Sequence, residues 1–263
     1  MKFTKMQGLG NDYLYVYGAV PEDVAALSVR LSDRHFGAGS DGMVYIGPSD
    51  SADFSMRIFN ADGSEAKMCG NGIRCVGKYV YDKGYTDKKS LTIETLSGIK
   101  TLGLHTCFGK VRSVTVDMGT VAVGSDLELD LGWDKLTCTP VSVGNPHAVV
   151  FVGDAEAAPV SVLGPKIENH SLFPDRINAE FVQVLSDSKL RMRVWERGSG
   201  ITMACGTGAC ASAAAAVSKG FCIPDLPITV VLDGGQLEIV VTDGSSVFMT
   251  GPAEFVYEGE VAL

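Results

Sequence analysis

The sequence predicts an α+β fold built twice: two pseudo-symmetric domains, each a barrel-like mixed sheet wrapped round one central, largely apolar helix. Three observations carry that expectation. Met68-Cys69-Gly70-Asn71-Gly72 and Ala204-Cys205-Gly206-Thr207-Gly208 each set a cysteine before a Gly-x-Gly turn and a helical run, Ile73 to Lys83 and Ala209 to Lys219. The offset of 136 residues from Cys69 to Cys205 also pairs Arg57 with Arg193, Ile58 with Val194, Phe59 with Trp195, Asn60 with Glu196, Gly70 with Gly206 and Gly72 with Gly208. Ala209 to Val217 carries no charged residue, which suits a helix buried on all sides by a curled sheet.

The elements follow in order. Gly8-Leu9-Gly10-Asn11-Asp12 is a turn, and the aromatic and β-branched run Tyr13 to Tyr17 reads as a buried strand. Pro21-Glu22-Asp23 opens a helix through Leu31. Met43 to Ile46 is a short strand after Ser40-Asp41-Gly42, and Phe54 to Phe59 alternates toward the polar turn Asn60-Ala61-Asp62-Gly63. Leu91 to Glu94, Ile99 to Leu104 and Val111 to Asp117 are three further strands. The second half repeats this order. Gly144-Asn145-Pro146-His147 and the strand Ala148 to Val152 echo Gly10-Asn11-Asp12-Tyr13 and its strand at an offset of 134. Leu163 to His170 is a helix, Phe181 to Leu185 and Leu190 to Trp195 are strands, and Ile228 to Leu232, Gln236 to Val241 and Val247 to Thr250 match the trailing strands of the first half.

A chain of 263 residues accommodates two domains of this size, expected at 1–119 and 120–263 with the last strand able to return to the first domain. A net charge of −9 argues against nucleic acid and against an anionic membrane surface as partners. Met1-Lys2-Phe3-Thr4-Lys5 leads into no apolar h-region and no run is long enough to span a bilayer, so a cytoplasmic protein is expected. The seven cysteines are odd in number and dispersed, which suits reduced thiols better than disulfides.

A cysteine at a helix N-terminus meets unpaired N–H groups and the positive end of the helix dipole, which favour its thiolate. The glycines let backbone approach a ligand closely. His35, His105, His147 and His170 are scattered without metal-ligand spacing, so no metal is expected, and Cys75, Cys107, Cys138 and Cys222 read as small buried apolar residues.

Phe59-Asn60-Ala61-Asp62-Gly63-Ser64-Glu65 through Cys69-Gly70-Asn71-Gly72, Gly144-Asn145-Pro146-His147, and Glu196-Arg197-Gly198 through Ala204-Cys205-Gly206-Thr207-Gly208 together carry a resemblance to the diaminopimelate epimerases along nearly the whole chain. The opening Lys5-Met6-Gln7-Gly8-Leu9-Gly10-Asn11-Asp12 agrees with it. The resemblance implies a cofactor-independent isomerase that interconverts LL- and meso-diaminopimelate, with its active site in a cleft between the two domains. By motif position Cys69 and Cys205 are the implied acid/base pair. Asn11, Asn60, Asn145, Asn178, Glu196 and Arg197 are the implied substrate contacts, joined by backbone of Gly70, Asn71, Gly206 and Thr207, with His147 in support. A homodimer is left open. Many relatives carry a substrate-contacting glutamine after the aspartate that matches Asp41; here that residue is Gly42.

The chemistry explains the residue types. Inverting a carbon by exchanging its proton needs removal on one face and delivery on the other, and two thiols supply both. Fixed N–H donors at two helix termini suit the charge that develops on the substrate carboxylate. The planar fork of Arg197 suits a second carboxylate, and Glu196 with the asparagines can accept from an ammonium. Three other functions remain open at this stage. A proline or hydroxyproline racemase shares the paired-cysteine design but has no distal amino-acid group for Asn60, Glu196 and Arg197 to hold. A nucleotide-binding module is suggested by Gly206-Thr207-Gly208-Ala209-Cys210-Ala211, although no strand-like run precedes it. A redox sensor built on the two thiols is the third.

Overall fold

A computed structural model describes residues 1–132 and 135–262, and the chain divides into two compact units, Met1–Val116 with Gly251–Leu263, and Asp117–Thr250. The second domain was expected to run to residue 263 with the last strand able to return to the first, and the segment from Gly251 onward clusters with the first unit.

In the first unit β1 (Lys2–Gly8) and β2 (Asn11–Tyr17) form a hairpin, and α1 (Val24–Ser32) carries the chain over to β3 (Gly42–Gly47). β4 (Phe54–Asn60) and the short β5 (Glu65–Ala66) lead to α2 (Gly70–Asp82), then to β6 (Ser90–Thr95), β7 (Gly98–Cys107) and β8 (Lys110–Thr120). The ladder runs β1-β2 antiparallel, β2-β3 parallel, β3-β4 antiparallel, β4-β6 parallel, and β6-β7 and β7-β8 antiparallel. Each parallel pair requires a crossover, and the two helices supply them. Period-2 alternation then divides the side chains between two faces. Leu14, Met43, Tyr45 and Phe59 pack with Leu27 and Leu31 of α1, while the neighbouring Tyr15 turns the other way and donates its hydroxyl hydrogen to the Gly72 carbonyl of α2 at 3.2 Å.

The second unit repeats the pattern. After β9 (Ala122–Val123) and β10 (Leu127–Asp130) come β11 (Lys135–Ser142), β12 (Pro146–Phe151), α3 (Val160–Glu168), β13 (Asn178–Ser186), β14 (Lys189–Glu196), the short β15 (Gly200–Ile201), α4 (Gly206–Ser218), β16 (Ile228–Leu232), β17 (Gly235–Val241) and β18 (Ser246–Pro252). Pairing along β11-β12-β13-β14-β16-β17-β18 alternates in the same sense, parallel only at β12-β13 and β14-β16. Ala148, Val150, Ala179 and Phe181 face Leu163 and Ile167 of α3. The intervening His147, Val149 and Glu180 therefore point to the opposite face, where α4 lies. A last strand, β19 (Glu254–Glu260), pairs antiparallel with β1 of the first unit.

The sheet of the first unit is barrel-like as expected, wrapping its helix without closing, since no pairing joins β8 to β19 among the described residues. One expectation needs correction. The central helix of the first unit is less apolar than expected, since Arg74 and Lys78 are buried within it. Their charges are met internally. Arg74 donates to the carbonyls of Gly70 and Pro252, each at 3.1 Å, and Lys78 donates to the Val111 carbonyl and pairs with Asp82 at 3.0 Å. α4 fits the expectation, with Ala209 to Ala216 buried throughout.

Candidate active-site turns

Both cysteines occupy the N-cap position of their helices in an extended conformation, Cys69 on α2 and Cys205 on α4. Each sulfur accepts from the N–H three residues on, Gly72 at 3.3 Å and Gly208 at 3.4 Å. The first i→i−4 bond of each helix is made by Ile73 to the Cys69 carbonyl and by Ala209 to the Cys205 carbonyl. The N–H groups of Gly70, Asn71, Gly206 and Thr207 thus precede the intrahelical ladder and lie at the positive end of a helix, where an anion is favoured.

Around the first turn, Cys69 Sγ donates to Asn11 Oδ1 at 3.3 Å, and Asn11 Nδ2 donates to Asp41 Oδ2 at 2.8 Å. Asp41 is held in turn by Arg34 at 2.8 Å, which also grips Asp12 at 2.8 Å. Burial by itself would raise the Asp12 carboxyl, but Arg34 and Lys5 outweigh it and hold the group below the ordinary carboxylate value. Burial pushes the Tyr13 and Tyr15 hydroxyls well above the usual phenol range, with the Cys69 sulfur adding to it at Tyr13 and the Cys75 sulfur at Tyr15. Asn60 lies across the β3-β4 ladder from Gly42, and its side chain donates to Ser64 Oγ at 3.0 Å. Gly42 has φ +154°, and a Cβ there would stand 2.2 Å from the Phe59 carbonyl oxygen. On this backbone the position admits no side chain.

Around the second turn, Asn145 Nδ2 donates to Thr207 Oγ1 at 3.2 Å, and Thr207 Oγ1 lies 3.6 Å from Cys205 Sγ. Asn145 Oδ1 faces His147 Nε2 at 3.1 Å, while His147 Nδ1 meets Glu180 Oε1 at 2.7 Å. Glu196 accepts from the Thr202 hydroxyl and is in hydrogen-bonding contact with Cys205. Burial raises the Glu196 carboxyl above its ordinary value against those two hydrogen bonds. Asn178 Nδ2 donates to the Pro146 carbonyl at 3.0 Å, and its Oδ1 accepts the Arg197 backbone N–H at 2.9 Å. It therefore joins the His147 strand to the Glu196-Arg197 corner. The Arg197 guanidinium is exposed and donates to the Asp175 carbonyl at 2.9 Å.

The expectation of a thiol eased toward thiolate fails at Cys205. Burial pushes the thiol well above its ordinary value, Glu196 and Glu180 add to it, and the opposing Thr207 and Gly208 hydrogen bonds are outweighed. All seven cysteines are free, and Cys107 is exposed rather than buried as expected, whereas Cys75 and Cys138 are buried and their thiols are pushed up to about 11. No described group of three or more His, Cys, Asp or Glu is placed to hold a metal ion, and no described helix is long and apolar enough to cross a membrane.

Sequence reasoning missed Glu180, Arg34 and Thr202, and treated Asp41 only as the residue before a strand. Glu180 did leave a signal. It is the one charged residue in Ile177 to Val184, a run that the structure buries on both faces as far as Val182, and an acid in such a run needs a partner or a purpose.

The sequence profile described as diaminopimelate epimerase matches residues 3–123 and 139–256. The diaminopimelate epimerase of Acetivibrio thermocellus is 52% identical over 281 residues, covering 100% of this chain and 99% of that protein. That of Parabacteroides distasonis is 54% identical over 267 residues, covering 100% and 98%. Among solved structures, a Bacillus anthracis phenazine biosynthesis protein of the PhzF family superposes with a TM-score of 0.79 at 17% identity, covering 100% and 99% of the two chains. A probable proline racemase from Agrobacterium radiobacter gives 0.75 at 18% identity, covering 100% and 93%. These structures share the fold.

Proposed function

Because the chain belongs to the diaminopimelate epimerase family, we propose that it interconverts LL- and meso-2,6-diaminopimelate by taking the α-proton from one face and returning a proton to the other. It is an isomerase acting on a small molecule of lysine and peptidoglycan precursor synthesis, and we take the reaction to be cytoplasmic. The observation that carries the reading is the pair of helix-capping cysteines, one at the same place in each repeated unit. One sulfur as thiolate accepts the α-proton, the other as thiol delivers its own, and the reverse reaction exchanges their states. The N–H groups of Gly70, Asn71, Gly206 and Thr207 suit the α-carboxylate as negative charge builds on it. Arg197 suits the distal carboxylate, while Asn11, Asn60, Asn145, Asn178 and Glu196 complete the polar contacts, with His147 supporting Asn145. No pyridoxal phosphate or metal enters this scheme.

The test is turnover of pure LL-diaminopimelate by metal-chelated, pyridoxal-phosphate-free protein, followed by chiral chromatography, beside L-proline and trans-4-hydroxy-L-proline. Formation of the meso form alone supports the reading. Turnover of either imino acid, with diaminopimelate unchanged, overturns it in favour of a proline-type racemase. Sedimentation of the same preparation tests the homodimer.

A further inference from the structure

The two cysteine turns share a backbone but not an electrostatic setting. In the first unit Leu14 pairs with Met43 on the parallel β2-β3 ladder, which sets Tyr13 beside Gly42. In the second unit His147 pairs with Asn178, so Tyr13 corresponds to His147 and Val44 to Glu180, just as Asn60 corresponds to Glu196. Val44 and Glu180 are both wholly buried. The repeated fold is therefore built at this position by an apolar side chain, and burying a carboxyl there brings a desolvation cost that folding does not require.

Glu180 is also placed against the reacting thiol. A Cβ on Gly208 would stand 2.8 Å from Glu180 Oε1 and 3.3 Å from Cys205 Sγ, so carboxyl and sulfur border the same small space. At Gly72 the corresponding space is bordered by the Met56 methyl at 3.2 Å and Cys69 Sγ at 3.6 Å. His147 bonds Glu180 Oε1, but Oε2 has no hydrogen-bond partner among the described residues.

We propose that Glu180 is a positioning residue that keeps the resting proton on Cys205, so that this thiol is the resting acid of the duplicated pair. The inference rests on the reading of Cys205 as one of the two acid/base thiols. Three elements bring charged or polar groups to this sulfur, β13 with Glu180, β14 with Glu196, and α4 with the Thr207 hydroxyl and the Gly208 N–H, while β12 sets His147 against Glu180. Burial and the two carboxyls oppose the thiolate, and the two α4 groups favour it. A negative charge beside a low-dielectric thiol penalises its ionisation, so removing that charge must ease it.

The experiment measures iodoacetamide alkylation of each cysteine by peptide mass spectrometry across pH, in wild type, Glu180→Gln and Glu180→Val. Glu180→Gln keeps the shape, and Glu180→Val installs the residue type the first unit already accommodates, so one can serve if the other does not fold. The expected result is alkylation of Cys205 accelerated about tenfold near neutral pH, its pH midpoint moved down, and Cys69 and the buried Cys210 of the same helix unchanged. The alkaline limb of kcat/KM should move to lower pH with it. A Cys205 rate and midpoint that stay put or move the other way overturn the proposal, as does acceleration of Cys210 in parallel, which would report loosened packing. Labelling needs no substrate, so its outcome is separate from whether wild type turns over diaminopimelate.

Discussion

Replacing Gly208 by Ala should disable the protein far more than replacing Gly72, although the two glycines hold the same place in the repeated turn. At Gly208 the new methyl would meet Glu180 Oε1 at 2.8 Å, Cys205 Cβ at 3.2 Å and Cys205 Sγ at 3.3 Å. None of these can retreat freely, because Glu180 is wholly buried against an equally buried His147. Overpacking of that kind costs about 1–3 kcal/mol, which for a chain of this size lowers Tm by about 2–12 °C. Pushing the sulfur aside should lower kcat by about a hundredfold, since misplacement of a reacting group by an ångström has that effect. At Gly72 the first obstacle is the Met56 methyl at 3.2 Å, the far end of a flexible side chain, and Cys69 Cβ and Sγ follow at 3.4 and 3.6 Å. Alanine gains up to about 1 kcal/mol of helix propensity over glycine, so Tm should stay within about 2 °C and kcat within about tenfold of wild type. Differential scanning calorimetry and initial rates on purified variants measure both. Equal losses in the two variants, or full activity in Gly208→Ala, would refute the claim that the buried carboxyl crowds only the second turn.

Alanine at either Cys69 or Cys205 should reduce inversion by orders of magnitude, and in D2O the wild type should label product before recovered substrate; near-normal epimerisation by a single variant, or simultaneous labelling, points to one base. Lys78→Met leaves the buried Asp82 carboxyl without its 3.0 Å partner and should cost about 3–5 kcal/mol in urea unfolding; adding Asp82→Leu should recover most of it. The Asp12 carboxyl is held below its ordinary value of 3.8, so its stabilising share is full above that pH and lost as pH falls through the lower folded value. Asp12→Asn should therefore differ from wild type in urea stability at pH 6 and converge on it in strong acid, and a constant difference would contradict the assigned pairing with Arg34 and Lys5.

The duplication and its two cysteines were legible in the chain because they are local. A Gly-x-Gly turn, a helical run and alternating strands each declare themselves within a dozen residues, and one offset of 136 linked the copies. α2 and α4 begin three residues before the runs that announced them, since the glycines that looked like turn residues form the first helical turn. β10, β11 and β19 left weaker marks. β19 is mostly exposed and pairs with β1 from the far end of the chain, so its strand character comes from a partner and not from its own alternation.

What tertiary structure alone decided is which residues share a face, and through that the electrostatic setting of Cys205. Period 2 shows that His147 and Glu180 lie on the side of their strands opposite Ala148 and Phe181, but only packing shows that this side meets the capped end of α4. His147, Glu180, Glu196 and Cys205 come from four separate elements, and their mutual effect depends on distance and on the exclusion of water, neither of which a linear spacing encodes. The helix terminus was expected to favour a thiolate, and its N–H does reach the sulfur; burial and two carboxyls outweigh it at Cys205. The sequence determined where the two thiols stand in their turns, and the fold determined that Cys205 is buried beside two carboxyls.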